Sequence, residues 1–305
     1  MDGLDALPEY PRMAGLSREN QELVDGLFDE AQPRISELTF AYLWVWDPWI
    51  DCRLARRDDA LIVKAHRASE GDSYLFPPVV AEAGKSASLI REMLDGEDPP
   101  VFQRVPEDVV EALTERPDLD ISEQRNRADY VHSAEQLRSL PGNKFHGKRN
   151  QIRQFFAASP DARYETMSES LASRCVDFSR EWLENHPKRD LEGLQREVES
   201  SIRILENLDW LGFVGGALVE GQEVLAYALG EGLNRDTLTV RIEKADTSLP
   251  GSYQAINREF ARHSADGYRW INREQDLGIP GLRKAKKSYY PDHLVRKFRI
   301  GRARD

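Results

Sequence analysis

The apolar residues change spacing repeatedly along the chain, and each change marks an element. Ser17, with Asn20 three residues later and apolar Leu23, Leu27 and Phe28 beyond, predicts a capped helix. Residues 39–49 are aromatic and β-branched, and together with 51–54 and 60–65 around an Arg-Arg-Asp-Asp turn they predict an antiparallel meander. A proline-broken strand over 74–80 follows, then a helix over 86–94 with Leu89, Ile90, Met93 and Leu94 on one face. A helix over 105–113, a short strand over 128–132 and a helix within 142–156 complete a first pass. A second pass of similar shape begins near Tyr164. It has amphipathic helices over 169–186 and 191–208, then strand-like runs over 210–220, 223–230 and 237–244, with a hairpin turn at 220–223. Pro250-Gly251-Ser252 opens another helix, followed by a strand over 268–272, a basic helix over 281–290 and an alternating stretch over 293–300. This order predicts a mixed α/β fold of the α+β type.

The chain has 305 residues, enough for about two domains. A shift of 139 places lays Glu135-Gln136 on Glu274-Gln275 and Pro141-Gly142 on Pro280-Gly281, as expected of an internal repeat. The expected units are residues 1–160 and 161–305. The net charge of −11 argues against a surface that grips nucleic acid throughout. That total conceals an asymmetry: residues 1–130 hold 14 Lys+Arg against 28 Asp+Glu, whereas 269–305 hold eleven cations against four acids. A second basic stretch, 138–154, carries five cations and no acid. Cys52 and Cys175 stand alone, without ligand or disulfide spacing, so free buried thiols and no metal site are expected. The first residues lack the pattern of a secretory signal, and 38–50 is too short and too interrupted to span a bilayer, so a cytoplasmic location is expected.

Chemistry concentrates in the basic stretches. In 272–291 carboxylates Glu274 and Asp276 precede a Gly-Pro-Gly turn and a cationic helix, a junction that favours an anion. Arg283 and Lys287 share one helical face, and Lys286 and Tyr290 another. A carboxylate beside such cations suits proton abstraction and a tyrosine suits proton donation, although charge runs are commonly solvated faces. The second constellation, Lys144, His146, Lys148, Arg149 and Asn150, suits an anionic group, with ordinary surface polarity as the alternative. At Gly251, Ser252 and Tyr253 a helix start offers backbone amides to a phosphate, as any helix N-terminus does. No P-loop, GxGxxG or GxSxG motif occurs.

Residues 144–150, 251–257 and 272–291 together resemble an uncharacterised bacterial family related to the catalytic C-terminal domain of phosphatidylglycerol lysyltransferase. The resemblance runs from about residue 38 to 297 and implies two tandem acetyltransferase-like (GNAT) domains with mixed, mostly antiparallel sheets flanked by helices. It further implies acyl transfer without a covalent enzyme intermediate, with aminoacyl-tRNA or acyl-CoA as co-substrate and no tightly bound cofactor. Glu274 would be the base or the partner of a substrate ammonium. Arg283 and Lys287 would bind phosphate or oxyanion, and Tyr290 would donate a proton. Lys144, His146, Lys148, Arg149, Asn150 and Asp276 would bind substrate, and Gly251, Ser252 and Tyr253 would seat a carrier pyrophosphate. Pro250-Gly251-Ser252 lacks the fuller Arg/Gln-x-x-Gly-x-Gly/Ala pattern of CoA users, which favours the end of a charged tRNA as donor and a small molecule or lipid headgroup as acceptor. The competing readings are an acyl-CoA-dependent N-acyltransferase and a non-catalytic module that binds an anion or a protein.

Overall fold

The computed structural model describes residues 4–67, 72–113, 116–187 and 191–303. Strands β1 (Ala14–Gly15), β2 (Arg53–Arg57), β3 (Ala60–Arg67), β4 (Asp72–Leu75), β5 (Phe102–Pro106) and β6 (Leu119–Glu123) belong to one sheet. Strands β7 (Asp129–Ser133), β8 (Arg163–Thr166), β9 (Val214–Glu220), β10 (Glu223–Asn234), β11 (Thr237–Ala245), β12 (Trp270–Asn272) and β13 (His293–Val295) form the other. The last strand, β14 (Lys297–Arg302), returns to the first sheet. Among the described residues only β4 with β5 and β11 with β12 pair in parallel, so both sheets are mostly antiparallel.

The helices are α1 (Gln21–Ala31), α2 (Phe40–Ile50), α3 (Ala83–Leu94), α4 (Glu107–Glu111), α5 (Ala134–Ser139), α6 (His146–Ala158), α7 (Glu169–Glu184), α8 (Glu192–Leu205), α9 (Leu208–Leu211), α10 (Ser252–Ser264) and α11 (Pro280–Lys287). None is long and apolar enough to cross a membrane among the described residues. Helix α2 corrects the strand expected over 39–49. Thr39 caps it by accepting the Tyr42 amide at 3.1 Å, and Phe40, Ala41, Leu43, Val45 and Ile50 are buried. A helix apolar on nearly every side has no amphipathic period, so its run of aromatics reads like a strand. It lies in a core shared by both sheets, where Leu54 and Val63 join Tyr227, Leu229 and Ile242. Two further cores pack α3 and α4 on the first sheet, and α5, α6 and α10 on the second.

The sheets exchange strands reciprocally. β14 lies between β5 and β6, and β7 lies between β12 and β13, so each sheet is completed by a strand from the other part of the chain. The division expected at residue 160 falls between α6 and β8, and these two strands cross it. The 139-residue offset does not relate equivalent elements: it lays β7 on β12, which are antiparallel neighbours in one sheet. The likeness of the two segments reflects a shared local form, a strand followed by a turn and a basic helix. Equivalent elements stand further apart, as in α3 and α10, each joining a parallel strand pair.

At the crossover Lys297 is fully buried, with Nζ 2.5 Å from Glu37 Oε2 and 2.7 Å from Asp129 Oδ1. Arg104 stands 3.5 Å from the other Glu37 oxygen. Ser36 donates its amide and hydroxyl to Asp129 at 2.9 and 3.0 Å. Burial disfavours the ionised Glu37 carboxyl, but Lys297 and Arg104 outweigh it and hold its pKa below the usual value. Lys297→Met removes the central cation and should cost about 3–5 kcal/mol in urea unfolding. Because the Glu37 pKa is lowered on folding, its stabilisation is present above the unfolded value of 4.5 and lost as pH falls through the folded one. The variant should therefore lose less stability than the parent on acidification, and equal unfolding midpoints at neutral pH would show that the cluster is not what joins the sheets.

Candidate active site

Strands β11 and β12 pair only through Thr237–Trp270, Leu238–Ile271 and Thr239–Asn272, after which they part. Two local features cause the parting. Opposite β10, Leu229 faces Ile242 and Gly230 faces Val240, so Arg241 is an extra residue in β11. Such a bulge re-aims the side chains beyond it. On the other side β12 ends and Glu274 adopts φ 56°, with its carbonyl accepting the Tyr130 amide at 3.1 Å.

The bulge directs Arg241 into the space beside α2. Its Nε lies 2.7 Å from Glu231 Oε1, its Nη1 2.5 Å from Glu274 Oε1, and its Nη2 donates to Thr39 Oγ1 at 3.0 Å. The guanidinium also lies over the Tyr42 ring, 5.1 Å from its centroid. Burial alone would weaken the Arg241 charge, but the two carboxylates more than compensate and raise its pKa. Glu274 is moved up by burial, with Arg241 opposing, and its side chain stays 21 % exposed. A partly open carboxylate with a raised pKa is a competent proton acceptor. Thr39 and Glu231 also line a cavity of about 240 Å³, together with Asp25, Asn234, and Asp29 paired with Arg235 at 3.2 Å. Burial, aided by Glu231, pushes the Asp25 pKa up to about 6.

On the opposite face of the sheet a second polar group fills the gap between the parted strands. Arg273 Nη2 lies 3.1 Å from both Glu243 oxygens, and Asn257 of α10 donates to Glu243 at 3.0 Å. Arg273 and Lys148 both lie against the ring of Tyr289, at 4.8 and 4.3 Å. His132 meets the same ring edge-on, and burial together with the Arg273 charge lowers its pKa to about 3, so it is neutral. Lys286 reaches in from α11 to the carbonyls of Arg273 and Gln275. Burial lowers its pKa to about 8, with Glu274 resisting.

The outer face of α11 borders a separate groove of about 610 Å³, lined by Gly278, Pro280, Arg283, Lys284, Lys287, Ser288 and Tyr290. Asp276 anchors Arg283 of that lining. This buried carboxylate accepts from Arg283 at 2.8 and 2.9 Å, from the Tyr130 hydroxyl at 2.7 Å and from the Gly278 amide at 2.8 Å. Burial works against its charge, but these donors hold its pKa far below the usual carboxylate range.

The residues expected from sequence therefore fall into separate groups. Arg283, Lys287 and Tyr290 come together in the groove, and Lys144 joins them over the Tyr290 ring at 5.0 Å. Glu274 belongs instead to the Arg241 cluster. Tyr290 is grouped with Arg283 and Lys287 and not with Lys286, because α11 ends at Lys287 and Tyr290 follows in a left-handed conformation. Asp276 is an anchor whose oxygens are occupied by protein donors. Lys148 turns inward, whereas His146 and Asn150 are exposed on α6. Arg149 donates to the carbonyls of Leu140 and Gly142 and so caps α5. At Gly251 (φ 85°) a Cβ would stand 2.0 Å from the Gln151 carbonyl oxygen, so the loop is closed against α6. Ser252 donates to the Asp246 carbonyl at 2.7 Å, and Tyr253 is partly buried. These contacts make 251–253 a packing junction. Arg241, Glu231, Thr39 and Asp25 are absent from the sequence-based list. The signal in the sequence is three charges, Arg241, Glu243 and Lys244, inside a strand whose other residues are apolar or threonine.

Residues 28–301 match the family model described as phosphatidylglycerol lysyltransferase, C-terminal. A conserved protein of unknown function from Bacteroides thetaiotaomicron shares 29 % identity and a TM-score of 0.87, over 95 % of this chain and 99 % of that one. The C-terminal domain of a protein named as a lysylphosphatidylglycerol synthetase, from Agrobacterium fabrum, aligns with a TM-score of 0.66 at 13 % identity, over 93 % of this chain and 92 % of that one. A tandem GNAT protein from the clavulanic acid biosynthesis pathway aligns at 9 % identity and a TM-score of 0.48, over 96 % and 99 % of the two chains. The comparison with curated proteins gives no match. The mixed α/β architecture with two mostly antiparallel sheets is thus the expected one, and it is shared with the Bacteroides thetaiotaomicron and Agrobacterium fabrum structures.

Lys286 reports directly on the site. Its side-chain signals in an NMR pH titration should move with a midpoint near 8, below the ordinary lysine value of 10.5. As its pKa is lowered on folding, the penalty for keeping it charged disappears above that midpoint, and its contribution to stability should rise between about pH 8 and 10.5. A midpoint near 10.5 would place the amine in water and not under α11.

Proposed function

Because the chain belongs to the phosphatidylglycerol lysyltransferase C-terminal family, we propose that it is an acyltransferase moving an aminoacyl group from aminoacyl-tRNA to a small-molecule or lipid-headgroup acceptor. The observation that carries this reading is the cavity lined by Asp25, Asp29, Glu231, Thr39 and Arg235: Arg235 pairs with Asp29 and Arg241 with Glu231, so Asp25 is the carboxylate the cavity offers to an ammonium, and Arg241 in turn holds Glu274. An aminoacyl ester carries an ammonium group beside its reactive carbonyl, and a carboxylate-lined cavity complements that charge. An ordinary acyl thioester has no such group. The closed packing at Gly251 and Ser252 also weighs against a carrier pyrophosphate at that loop.

In this reaction the acceptor's hydroxyl or amine attacks the ester carbonyl. Its bond to the carbonyl carbon forms as the bond to the terminal ribose oxygen breaks. Glu274 accepts the nucleophile's proton, and the ribose oxygen regains one as it leaves. Arg241 is a positioning residue that fixes the Glu274 carboxylate and keeps Glu231 on the cavity side. The exposed His146, Asn150 and Arg153 on α6 offer contacts to the acceptor-end phosphates, and the groove with Arg283, Lys287 and Tyr290 serves the acceptor.

Incubation with radiolabelled aminoacyl-tRNA and either phosphatidylglycerol vesicles or small amines should transfer label to an acceptor. Glu274→Gln should slow turnover about 100-fold or more. Asp25→Asn should mainly raise KM for the donor. Full activity in Glu274→Gln would remove it as the base, and label passing from acetyl-CoA but not from aminoacyl-tRNA would overturn the donor assignment.

A further inference from the structure

Six large apolar side chains are exposed among the described residues, and four of them lie between positions 277 and 290. Leu277 is 48 % exposed, Ile279 46 %, Leu282 40 % and Tyr290 45 %. Exposed apolar residues scattered singly need no explanation, whereas a cluster does. This cluster is held rigidly in place. Leu277 has a left-handed backbone (φ 52°) and donates its amide to the Asn126 carbonyl at 3.0 Å. The amides of Gly278 and Ile279 bond the side chain and carbonyl of buried Asp276 at 2.8 and 2.9 Å. The fold thus fixes two aliphatic side chains toward solvent at the entrance to α11, and Leu282 extends the patch by one turn.

The same segment is strongly cationic. From Leu277 to Pro291 there are four cations and no acid, in a chain whose net charge is −11. Arg283, Lys284 and Lys287 border the 610 Å³ groove next to the aliphatic residues. Aliphatic groups gain nothing from a nucleic-acid backbone, which rewards cations and stacking rings. Apolar side chains ringed by Lys and Arg match the boundary between acyl chains and anionic headgroups.

We propose that residues 277–290 dock the protein on an anionic lipid bilayer, with Leu277, Ile279 and Leu282 in the headgroup boundary and a lipid phosphate in the groove among Arg283, Lys284 and Lys287. The acidic remainder of the molecule is repelled by such a surface, so docking has one orientation. This inference rests on the acceptor half of the proposed function and is independent of the donor: docking is read by binding and transfer by label.

Sedimentation with sucrose-loaded vesicles tests it. The full chain should bind vesicles of equal parts phosphatidylcholine and phosphatidylglycerol, should ignore pure phosphatidylcholine, and should release as salt rises. The combined Leu277→Asn, Ile279→Ser and Leu282→Ser variant should bind about tenfold more weakly. Circular dichroism checks its fold, and the single Leu282→Ser variant, on an exposed helix face, keeps the test open should the triple variant misfold. Leu191→Ser, remote in sequence, should bind like the parent. Absence of binding to anionic vesicles at low salt, or unchanged binding by folded apolar-to-polar variants, overturns the proposal. Lys284→Gln with Lys287→Gln should also weaken vesicle binding, and loss of tRNA binding with vesicle binding intact would identify the patch as a nucleic-acid surface instead.

Discussion

A lysine ammonium buried between two carboxylates holds this fold together. An isolated charge at the Lys297 position would be too costly to keep, and so would either Glu37 or Asp129 alone. The three come from the turn before α2, the start of β7 and the start of β14. They meet only when both exchanged strands are seated in the opposite sheets. Non-directional apolar packing would tolerate slippage between the sheets, whereas an unpaired buried charge would not. The same cluster sets the candidate site: Asp129 accepts from Asn272 at 3.2 Å, and Asn272 accepts the Glu274 amide at 2.8 Å. On the other side Ser36, bonded to Asp129, lies three residues before Thr39, which caps α2 and bonds Arg241. One ion cluster therefore fixes both the carboxylate and the guanidinium that holds it.

Around this anchor the sheet separates two ion-pair clusters. The bulge at Arg241 places Arg241 and Glu274 on the α2 side, beside the acidic cavity, while Arg273 and Lys148 occupy the α10 side. Lys286 bridges them from α11 by bonding loop carbonyls, so its charge is used without neutralising Glu274 by direct contact. The two clusters thus meet at one short loop, 272–276, which carries both Arg273 and Glu274. That loop is pinned at Asn272 and Asp276, both buried, and the partly open Glu274 lies between the pins.

Much of this was legible in sequence. The amphipathic helices α7, α8 and α10 and the hairpin of β9 and β10 announce themselves because one face is buried and the other wet. The basic segment around α11 was also visible, since it is exposed and its composition reflects that. What escaped detection depends on tertiary context. Helix α2 is buried on nearly all sides and so has no period, and the destination of β14 is decided by Lys297 finding partners far away in the chain. Arg241 looks like an ordinary outward charge on a strand until the bulge turns it inward. Gly251 has the composition of a phosphate cradle, yet its missing Cβ makes room for the Gln151 carbonyl. The glycine requirement was real, but the neighbour that imposes it comes from α6.

The cysteines bear on how the proposed transfer proceeds. Both are buried, and burial raises their thiol pKa values, to about 12 for Cys175 and higher for Cys52. Neither supplies a thiolate at neutral pH, so neither can hold the aminoacyl group as a thioester. The transfer proposed above is direct, from donor to acceptor, with both bound at once. A direct transfer needs two approaches to one carboxylate. The cavity beside Glu231 is linked to Glu274 through Arg241, which bonds both carboxylates, and the cationic groove on the outer face of α11 is lined by residues that follow the Glu274 loop in sequence. In the proposed reaction an ammonium-bearing donor would favour the opening that holds Asp25, and a phosphate-bearing acceptor the one that holds Arg283, Lys284 and Lys287.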